Sequence, residues 1–338
     1  MRTNNILIIG NYGAGNLGDD AIFAGIVSEL AELGYKGKIS LLHSGFPSSK
    51  DIYDGFDKFP LVPSGLRSYF RKNKETFTAI KKADLVILGG GGLFVDSESI
   101  RAPFIWYKQA MACQSLQTPY ICYSQSIGPL NSFISRFLTN KVLKNAKAVH
   151  FRDKNSHTDS ALFWASKQKK TVEKDNTFLL CLRKWDKKTD ESWPKIIEEC
   201  KDYAKEYSLN LKLLPMDLRD QKELIALKDT SIELLKPKSA SDVLKIISKA
   251  KILCSMRLHP SILALAVGTP VLSISYSTKV RNFIESLNVK AGAIVLNLNE
   301  ADKIKNSLNE IAGQTPEFDI ETPTKKNQEF LAAVLHQE

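Results

Sequence analysis

One short segment combines a fixed positive charge with a titratable ring. Arg257, Leu258 and His259 lie between two apolar runs, which predict a buried strand before them and a helix after them. In an open α/β sheet, ligands bind where a strand ends and the next helix begins. Arginine can hold a carboxylate or phosphate with two hydrogen bonds, and histidine can transfer a proton near neutral pH. The segment predicts a site for an anionic substrate that needs a proton; the alternative is a surface arginine beside a hydrogen-bonded core histidine.

The segment at 10–21 places four glycines between the first predicted strand and the first predicted helix. Glycine lets the backbone turn tightly and approach a ligand, and the N–H groups at a helix start favour anions. Three of the glycines match a dinucleotide-binding spacing, but the second predicted strand ends without the acidic residue that such a site requires. Asp19 is instead a candidate to receive an acceptor hydroxyl. The alternative is a glycine turn with an aspartate N-cap.

Two further segments directly follow strands predicted at 84–88 and 120–123. They supply Gly90, Gly91 and Gly92 after the first strand, and Ser124, Gln125 and Ser126 after the second. A glycine run leaves room for a ligand and exposes amides, and short polar side chains can hold sugar hydroxyls. The alternatives are a flexible loop for the glycines and a structural turn for the polar residues.

Two more cations lie at strand ends. Arg152 closes the strand predicted at 148–151, and Lys279 follows the strand predicted at 271–274. Both are candidates to contact the same anion as Arg257. The alternative for Arg152 is an ion pair with Asp153, and the alternative for Lys279 is a solvated surface position.

The composition is that of a globular protein with two domains. The chain has 338 residues, of which 43% are apolar and 25% charged, and single cores rarely grow beyond about 250–300 residues. No apolar run approaches the roughly 20 residues of a membrane helix, and the first apolar run is too short for a signal peptide. The five cysteines show no C-x-x-C spacing, so we expect reduced thiols in a cytoplasmic protein, without disulfides or a zinc site.

The net charge is +10, and basic residues cluster at 67–82 and at 167–174. Such clusters attract anionic lipid, nucleic acid or a phosphorylated acceptor, whereas the plainer interpretation is a solvated, lysine-rich surface. No nucleic-acid-binding motif accompanies them, so no nucleic-acid partner is predicted.

Short apolar runs alternate with helical patterns along the chain, which predicts two doubly wound parallel sheets. We expect a Rossmann-like N-terminal domain at 1–165, a polar linker at 166–175 and a Rossmann-like C-terminal domain at 176–315. The remaining residues, 316–338, predict a C-terminal helix that could pack back on the N-terminal domain.

The order of these segments resembles the polysaccharide pyruvyl transferase family, most nearly its bacterial cell-wall type. The resemblance covers residues 5 to 290, and Arg257-Leu258-His259 is its most specific part, whereas the segment at 174–178 is shorter than the family pattern. It implies an α/β, GT-B-like fold of two Rossmann-type parallel-sheet domains facing across a cleft. The family transfers pyruvate from phosphoenolpyruvate (PEP) to a sugar as a ketal, without a metal or other cofactor.

The resemblance also implies roles for the candidate residues, with the donor in the C-terminal domain and the acceptor in the N-terminal one. The implied catalytic residues are His259, as acid/base, and Asp19, which would orient or deprotonate the acceptor hydroxyl. PEP binding falls to Arg257, Leu258, Arg152 and Lys279. Acceptor binding falls to Asn16, Gly18, Gly90, Gly91, Gly92, Ser124, Gln125 and Ser126.

We therefore predict a PEP-dependent ketal pyruvyltransferase that acts on a lipid-linked or free glycan, a precursor of a cell-wall or exopolysaccharide. The expected location is the cytoplasm, at the inner face of the plasma membrane, with contact to anionic lipid. Two alternatives stay open. One is a GT-B glycosyltransferase that uses a nucleotide sugar, and the other is a non-catalytic protein that binds anionic glycans or nucleic acid.

Overall fold

The computed structural model of the chain contains two parallel β-sheets of six strands each. It describes residues 3–45, 48–63, 74–97, 99–152, 157–184, 187–227, 231–276 and 278–336. By its internal contacts the chain divides into two compact units. The first comprises Met1–Gly15, Asp19–Ser160 and Thr322–Glu338, and the second comprises Asn16–Gly18 and Ala161–Glu321.

The first unit is a parallel sheet whose strands alternate with helices. Its strands are β1 (Asn5–Ile9), β2 (Lys38–Leu42), β3 (Asp57–Phe59), β4 (Leu85–Phe94), β5 (Tyr120–Ile127) and β6 (Val149–Phe151). The helices between them are α1 (Leu17–Glu32), α2 (Lys50–Tyr53), α3 (Lys74–Lys82), α4 (Ala102–Ser115) and α5 (Phe133–Asn145). The strand order β3-β2-β1-β4-β5-β6 is that of a Rossmann sheet, in which the order reverses between β1 and β4.

The second unit repeats this topology. After α6 (Ser160–Lys167), its strands are β7 (Thr177–Cys181), β8 (Asn210–Leu213), β9 (Glu233–Leu234), β10 (Ile252–Ser255), β11 (Val271–Ser275) and β12 (Ala293–Asn297). The helices are α7 (Lys187–Glu206), α8 (Leu218–Ala226), α9 (Ala240–Lys249), α10 (Leu258–Val267), α11 (Thr278–Ser286), a 3-10 helix (Leu298–Lys303) and α12 (Ile304–Ile311). The order β12-β11-β10-β7-β8-β9 reverses between β7 and β10. Two parallel Rossmann-type sheets confirm the predicted α/β class.

The central strands are apolar because helices cover both faces of a parallel sheet. Every residue of β7 and β10 is buried, as are the last four residues of β1. All five cysteines are buried free thiols. Among the described residues, no helix is long and apolar enough to cross a membrane.

Two strands continue further than the sequence predicts. β4 runs through its glycines to Phe94, and β5 runs through Ser124, Gln125 and Ser126 to Ile127. These segments therefore lie within the sheet and not in loops after it. The pairing is irregular after Gly91, where the glycine backbone has φ +84°, and glycine runs are not typical of strands. The prediction ended β4 too early for that reason, and it ended β5 too early because Ser124, Gln125 and Ser126 are polar.

The division into units differs from the expected boundary at 165. It falls at Ser160, where α6 begins, and the expected linker at 166–175 belongs to the second unit. Hydrogen bonds attach this polar segment there: Asp175 N–H donates to the Lys249 carbonyl (2.8 Å), and Lys174 Nζ lies 2.7 Å from Thr269 Oγ1. The sequence also predicts a helix at 155–164. This prediction is wrong at its start, because residues 157–159 are not helical; residues 155–156 lie outside the described part.

The C-terminal helix, α13 (Glu321–His336), contributes Asn327 to the interior of the first unit. The Asn327 amide donates to Glu29 Oε1 (2.9 Å) and to the Thr158 carbonyl (3.0 Å). Its carbonyl oxygen accepts from the Thr158 N–H (3.1 Å) and lies 3.0 Å from His150 Nε2. Because the Ser124 N–H donates to His150 Nδ1, Nε2 carries the proton. All four hydrogen-bonding positions of Asn327 are therefore used, and α13 is fixed to α1 and β6.

Glu29 is fully buried, and its hydrogen-bond donors are the neutral groups of Tyr123, Ser160 and Asn327. Burial raises the pKa of Glu29 from 4.5 to about 7, although these hydrogen bonds lower it. The folded protein therefore holds this proton more tightly than the unfolded chain. The resulting stability is fully present below pH 4.5 and is lost as the pH rises through about 7.

We expect Glu29→Gln to remove this pH dependence, which is worth about 3 kcal/mol in total. The Tm of the wild type should fall relative to the variant as the pH rises from about 4.5 to about 7, and should change little relative to it above about 8. Thermal unfolding followed by circular dichroism measures the difference, and Glu32→Gln, an exposed residue on the same helix, is the matched control. Parallel curves for the wild type and Glu29→Gln would contradict the burial of a proton at Glu29.

Candidate functional site

Two arginines emerge side by side where the strand order of the second sheet reverses. Cys181 at the end of β7 pairs with Ser255 at the end of β10. Arg183 follows Cys181 by two residues, and Arg257 follows Ser255 by two. The carboxyl ends of the two strands at such a reversal are the usual ligand position in open α/β sheets. The fold thus places two guanidinium groups at the predicted site.

Two aspartates at the start of α8 bind both arginines. Arg257 Nη2 donates to Asp217 Oδ2 and to Asp220 Oδ1, and Arg183 Nη1 lies 3.3 Å and 3.2 Å from the same two oxygens. Asp217 is also the N-cap of α8, because its other carboxylate oxygen accepts the Asp220 N–H (2.7 Å). We call these four residues the Arg–Asp cluster.

The Arg–Asp cluster is balanced in charge and mostly buried: Arg183 and Asp220 are buried, and the side chains of Arg257 and Asp217 are 12% and 17% exposed. Burial alone would lower the pKa of Arg257, but Asp220 and Asp217 hold that pKa well above its ordinary value. Burial would raise the pKa of Asp217, but the charges of Arg257 and Arg183 and a backbone hydrogen bond bring that pKa below its ordinary value. Arg257 and Asp217 therefore stay charged at neutral pH. Two cations face two anions, so the cluster adds little net charge to the site.

Serine hydroxyls fix the turn between β10 and α10. Ser255 Oγ accepts the Arg257 N–H (3.0 Å) and donates to the Arg257 carbonyl (2.8 Å), and Ser261 Oγ donates to the same carbonyl (3.2 Å). Arg257 is the N-cap of α10 and has an extended backbone. The turn therefore directs the Arg257 side chain to the aspartates and leaves Leu258 and His259 in the first helical turn.

His259 is the exception on an otherwise buried helix. Nine of the ten residues of α10, including Leu258, are buried, and His259 is partly exposed. The second unit includes the segment Asn16–Gly18, and a Cβ placed on Gly18 would lie 2.3 Å from His259 Nδ1. The Leu17 N–H donates to the Met216 carbonyl (2.9 Å), and the Gly18 N–H donates to Asn16 Oδ1 (3.1 Å). The absence of a side chain at Gly18 therefore makes room for the imidazole.

Lys279 occupies the first turn of α11, directly after β11 and its short connection. The side chain of Lys279 lies outside the described part of the structure. Its backbone position agrees with the strand-to-helix junction that the sequence predicts. Its role as a PEP ligand stays a prediction.

In the first unit the structure brings Asp19 and Gly91 together. Asp19 Oδ2 accepts a hydrogen bond from Asn11 Nδ2 (2.7 Å), and a Cβ on Gly91 would lie 3.3 Å from Asp19 Oδ1. A Cβ on Gly90 would overlap Ile22 at 2.1 Å, so helix α1 packs directly on the glycines of β4. Gly92, the next residue, is partly exposed. This group lies where the strand order of the first sheet reverses, between β1 and β4.

The two neighbouring aspartates of α1 have different surroundings. Asp20 is fully buried and accepts hydrogen bonds from the hydroxyls of Ser48 (2.9 Å), Ser49 (2.7 Å) and Tyr53 (2.5 Å). Asp19 is partly exposed beside the glycines. Asp20 therefore holds the residues around α2 in place, and Asp19 is the carboxylate that can meet a ligand.

Arg152 is fully buried in the first unit. Its Nη1 forms an ion pair with Asp159, and its Nε donates to Ser126 Oγ (2.7 Å). Asp153, the partner that the sequence suggests as an alternative, lies outside the described residues. Arg152 thus belongs to a different unit from Arg257, His259 and Lys279, and its contacts are with its own unit.

The polar residues of β5 are also buried. Ser124 Oγ accepts the Ser160 N–H (3.3 Å), and Gln125 Nε2 donates to the Leu88 carbonyl (3.0 Å). Gln125 Oε1 is buried and has no hydrogen-bond partner among the described residues. These contacts join β5 to β4 and α6. Acceptor binding by this segment stays a prediction.

Sequence reasoning missed Arg183, Asp217, Asp220 and Asp159. Arg183 follows an apolar strand in the same way as Arg257, so the strand-end rule applied to β7 would have found it. The Asp-x-x-Asp spacing of 217–220 resembles a helix-capping pattern and marks the start of α8. Nothing local indicates that either aspartate pairs with an arginine about 40 positions away. Among the described residues, no group of three or more His, Cys, Asp or Glu is arranged to hold a metal ion.

The fold places the chain among two-unit α/β proteins of the GT-B-like class, and solved structures share this fold. A Listeria monocytogenes protein assigned as a UDP-N-acetylglucosamine 2-epimerase has 12% identity and a TM-score of 0.65, covering 98% of this chain and 96% of that one. S. aureus MnaA, solved with UDP, has 12% identity and a TM-score of 0.63, with coverage of 99% and 97%. The Methanocaldococcus jannaschii UDP-GlcNAc 2-epimerase, solved with UDP-GlcNAc and UDP, has 14% identity and a TM-score of 0.61, with coverage of 98% and 99%.

Comparison of the sequence with protein families identifies the family of this chain. The chain matches no curated protein sequence. The family model described as polysaccharide pyruvyl transferase matches residues 16–278, which is most of the chain and includes every candidate residue except Lys279. The chain belongs to the polysaccharide pyruvyl transferase family, as the order of its motifs predicts.

We expect Gly18→Ala to displace the His259 ring and to lower the free energy of unfolding by about 1–3 kcal/mol. The backbone of Gly18 is one that alanine can adopt, so the cost comes from the ring. The double variant Gly18→Ala/His259→Ala removes the overlap and should recover most of the loss. A double-mutant cycle from urea unfolding measures this coupling. If Gly18→Ala lowers the free energy of unfolding equally in the wild type and in His259→Ala, the two residues do not touch.

Proposed function

We propose that the protein transfers the pyruvyl unit of PEP to a glycan as a ketal and releases phosphate. Family membership supports transfer to a polysaccharide. The observation that carries the proposal is the placement of Arg257 and His259 at the strand-order reversal of the second sheet. An arginine and a partly exposed histidine meet there at the start of α10.

The donor site would use the groups that the Arg–Asp cluster leaves available. Both aspartates take Nη2 of Arg257, and Nε is buried without a partner among the described residues. Nη1 therefore is the edge of the guanidinium that we assign to the PEP carboxylate. Because the cluster is balanced in charge, the phosphate needs further positive potential. The N–H groups at the start of α10, beginning with Leu258, and Lys279 in α11 are the candidates.

His259 would supply the proton that the reaction requires. Protonation of the PEP methylene carbon makes it a methyl group and leaves a cation-like centre at C2. One acceptor hydroxyl adds to C2, phosphate leaves with the cleaved C2–O bond, and a second hydroxyl closes the ketal. Of the two hydroxyl protons released, one replaces the proton given to the methyl group and the other leaves with phosphate. A group that donates and recovers a proton near neutral pH suits this sequence.

The acceptor would lie against the first unit. Asp19 is partly exposed, and Gly91 leaves space beside its carboxylate. We assign Asp19 to orient or deprotonate an acceptor hydroxyl, with Gly90, Gly91 and Gly92 giving the sugar access to the backbone. Asn16 and Gly18 complete the segment that leads to Asp19. We assign a structural role to Ser124, Gln125, Ser126 and Arg152. Each of these residues contacts neighbouring elements of the first unit.

A nucleotide-sugar glycosyltransferase is the second candidate. Solved structures of the same fold contain UDP or UDP-GlcNAc, although their identity to this chain is 12–14% and shows the fold alone. Both functions need an anion site at the start of α10. They differ in the donor that stabilises the protein. Salt-sensitive polyanion binding without turnover would instead support the third interpretation, a non-catalytic binding protein.

We expect PEP to raise the Tm of the wild type, and UDP-GlcNAc to leave it unchanged. A ligand specific for the folded state adds about 2.7 kcal/mol at about a hundredfold excess over its Kd. Arg257→Lys keeps one positive charge for Asp217 and Asp220 but loses the planar fork, so the PEP shift should disappear. Arg219→Gln, an exposed arginine of α8, is the control and should retain it.

His259→Gln separates binding from chemistry. We expect this variant to keep the PEP shift and to lose transfer. A rise in Tm with UDP-GlcNAc and none with PEP would indicate a nucleotide-sugar glycosyltransferase instead. If PEP still raises the Tm of Arg257→Lys, Arg257 does not bind the donor.

A further inference from the structure

One surface of the first unit exposes large apolar side chains on two neighbouring helices. Ile100 and Phe104 lie at the start of α4, and Phe133, Ile134 and Phe137 lie at the start of α5. These five side chains are between 39% and 74% exposed. Single exposed apolar residues are common, but five on adjacent helix starts form a group that needs an explanation. We call them the apolar patch.

Lysines border the apolar patch. Phe133, Phe137 and Lys141 follow one another at intervals of four residues, so they share one face of α5. Lys141 Nζ lies 5.7 Å from the centre of the Tyr107 ring, which connects this face of α5 to α4. On α4 itself, Lys108 Nζ lies 5.3 Å from the centre of the Phe104 ring.

The helices that carry the patch contain charges of one sign. Residues 99–152 contain seven lysines and arginines and no aspartate or glutamate, although the chain has 37 acidic residues. The nearest described acidic residue in sequence is Asp96. Its carboxylate accepts the N–H groups of Asn131 and Ser132, both at 2.8 Å, at the start of α5. Asp96 is thus engaged with the backbone, and the exposed charged residues within α4 and α5 themselves are positive.

This combination fits the surface of an anionic lipid bilayer. Aromatic and aliphatic side chains enter the headgroup region, while lysines and arginines at their border contact lipid phosphates. An apolar patch alone would equally fit a second protein. The stretch of 54 residues without a negative charge favours a partner whose own surface is uniformly negative.

We propose that the apolar patch and its border residues Lys108 and Lys141, with the exposed Lys144 three residues further along α5, bind the surface of an anionic membrane. The helices α4 and α5 are distinct in sequence from the basic clusters at 67–82 and 167–174. Bilayer binding itself does not depend on the enzyme's reaction. Its consequence, that a lipid-linked glycan is met at the membrane, rests on the proposed function.

Co-sedimentation of the full chain with vesicles tests this proposal. We expect binding to vesicles rich in phosphatidylglycerol and little binding to vesicles of phosphatidylcholine alone. Phe133→Ser/Phe137→Ser and Lys141→Glu/Lys144→Glu should each reduce binding by about tenfold or more. The matched controls are Leu218→Ser/Ile225→Ser and Lys245→Glu/Lys249→Glu, exposed positions on helices of the second unit, and they should bind as the wild type does.

Two results would overturn the proposal. One is equal vesicle binding by the patch variants and the controls. The other is a wild-type dimer, seen by light scattering, that becomes monomeric in Phe133→Ser/Phe137→Ser without any dependence on lipid. Pyruvyl transfer to a water-soluble acceptor fragment distinguishes the two inferences. Failure of vesicle binding with transfer intact rejects the membrane surface alone, and vesicle binding without transfer rejects the proposed function alone.

Discussion

The second unit depends on the pairing of two arginines with two aspartates, of which Arg183 and Asp220 are buried and Arg257 and Asp217 are mostly buried. A guanidinium removed from water is stable only beside carboxylates, and loss of one partner from such a group typically costs about 3–5 kcal/mol. Here Asp217 and Asp220, at the start of α8, bind Arg257 after β10 and Arg183 after β7. The pairing therefore joins three element ends at the place where ligands bind in this fold.

This pairing changes the interpretation of Arg257. An arginine after a strand suggests a free cation that waits for an anion, but Arg257 is first an anchor for the turn that carries His259. In the proposed donor site, the start of α10 and Lys279 would supply most of the positive potential. The first unit follows the same rule: Arg152 pairs with Asp159, and Asp20 is held by hydroxyls. Asp19 stays partly exposed.

Sequence reasoning predicted the elements with strong periodicity or clear caps. The sequence predicts helices at 102–115, 133–145 and 258–267, and these are the bounds of α4, α5 and α10. Ser132 caps α5, and Gly268, with φ +79°, ends α10. The strand β3 was missed because its three residues contain no apolar run. The strand β12 was missed although Ala293–Leu296 is an apolar run of four residues. The candidate residues at strand ends could also be predicted from the sequence. Their partners could not be predicted. Asp217 and Arg257 are 40 residues apart in the chain, and the order of the strands in the sheet brings them together.

Transfer itself tests the central claim most directly. The wild type and His259→Gln would be incubated with isotopically labelled PEP and the glycan fraction of cells, and the glycans examined by mass spectrometry and NMR. The account predicts label in a quaternary ketal carbon that bears a methyl group, with an equal amount of free phosphate, for the wild type and not for His259→Gln. Glycans that gain no label from PEP, or that gain it equally with His259→Gln, would contradict the account.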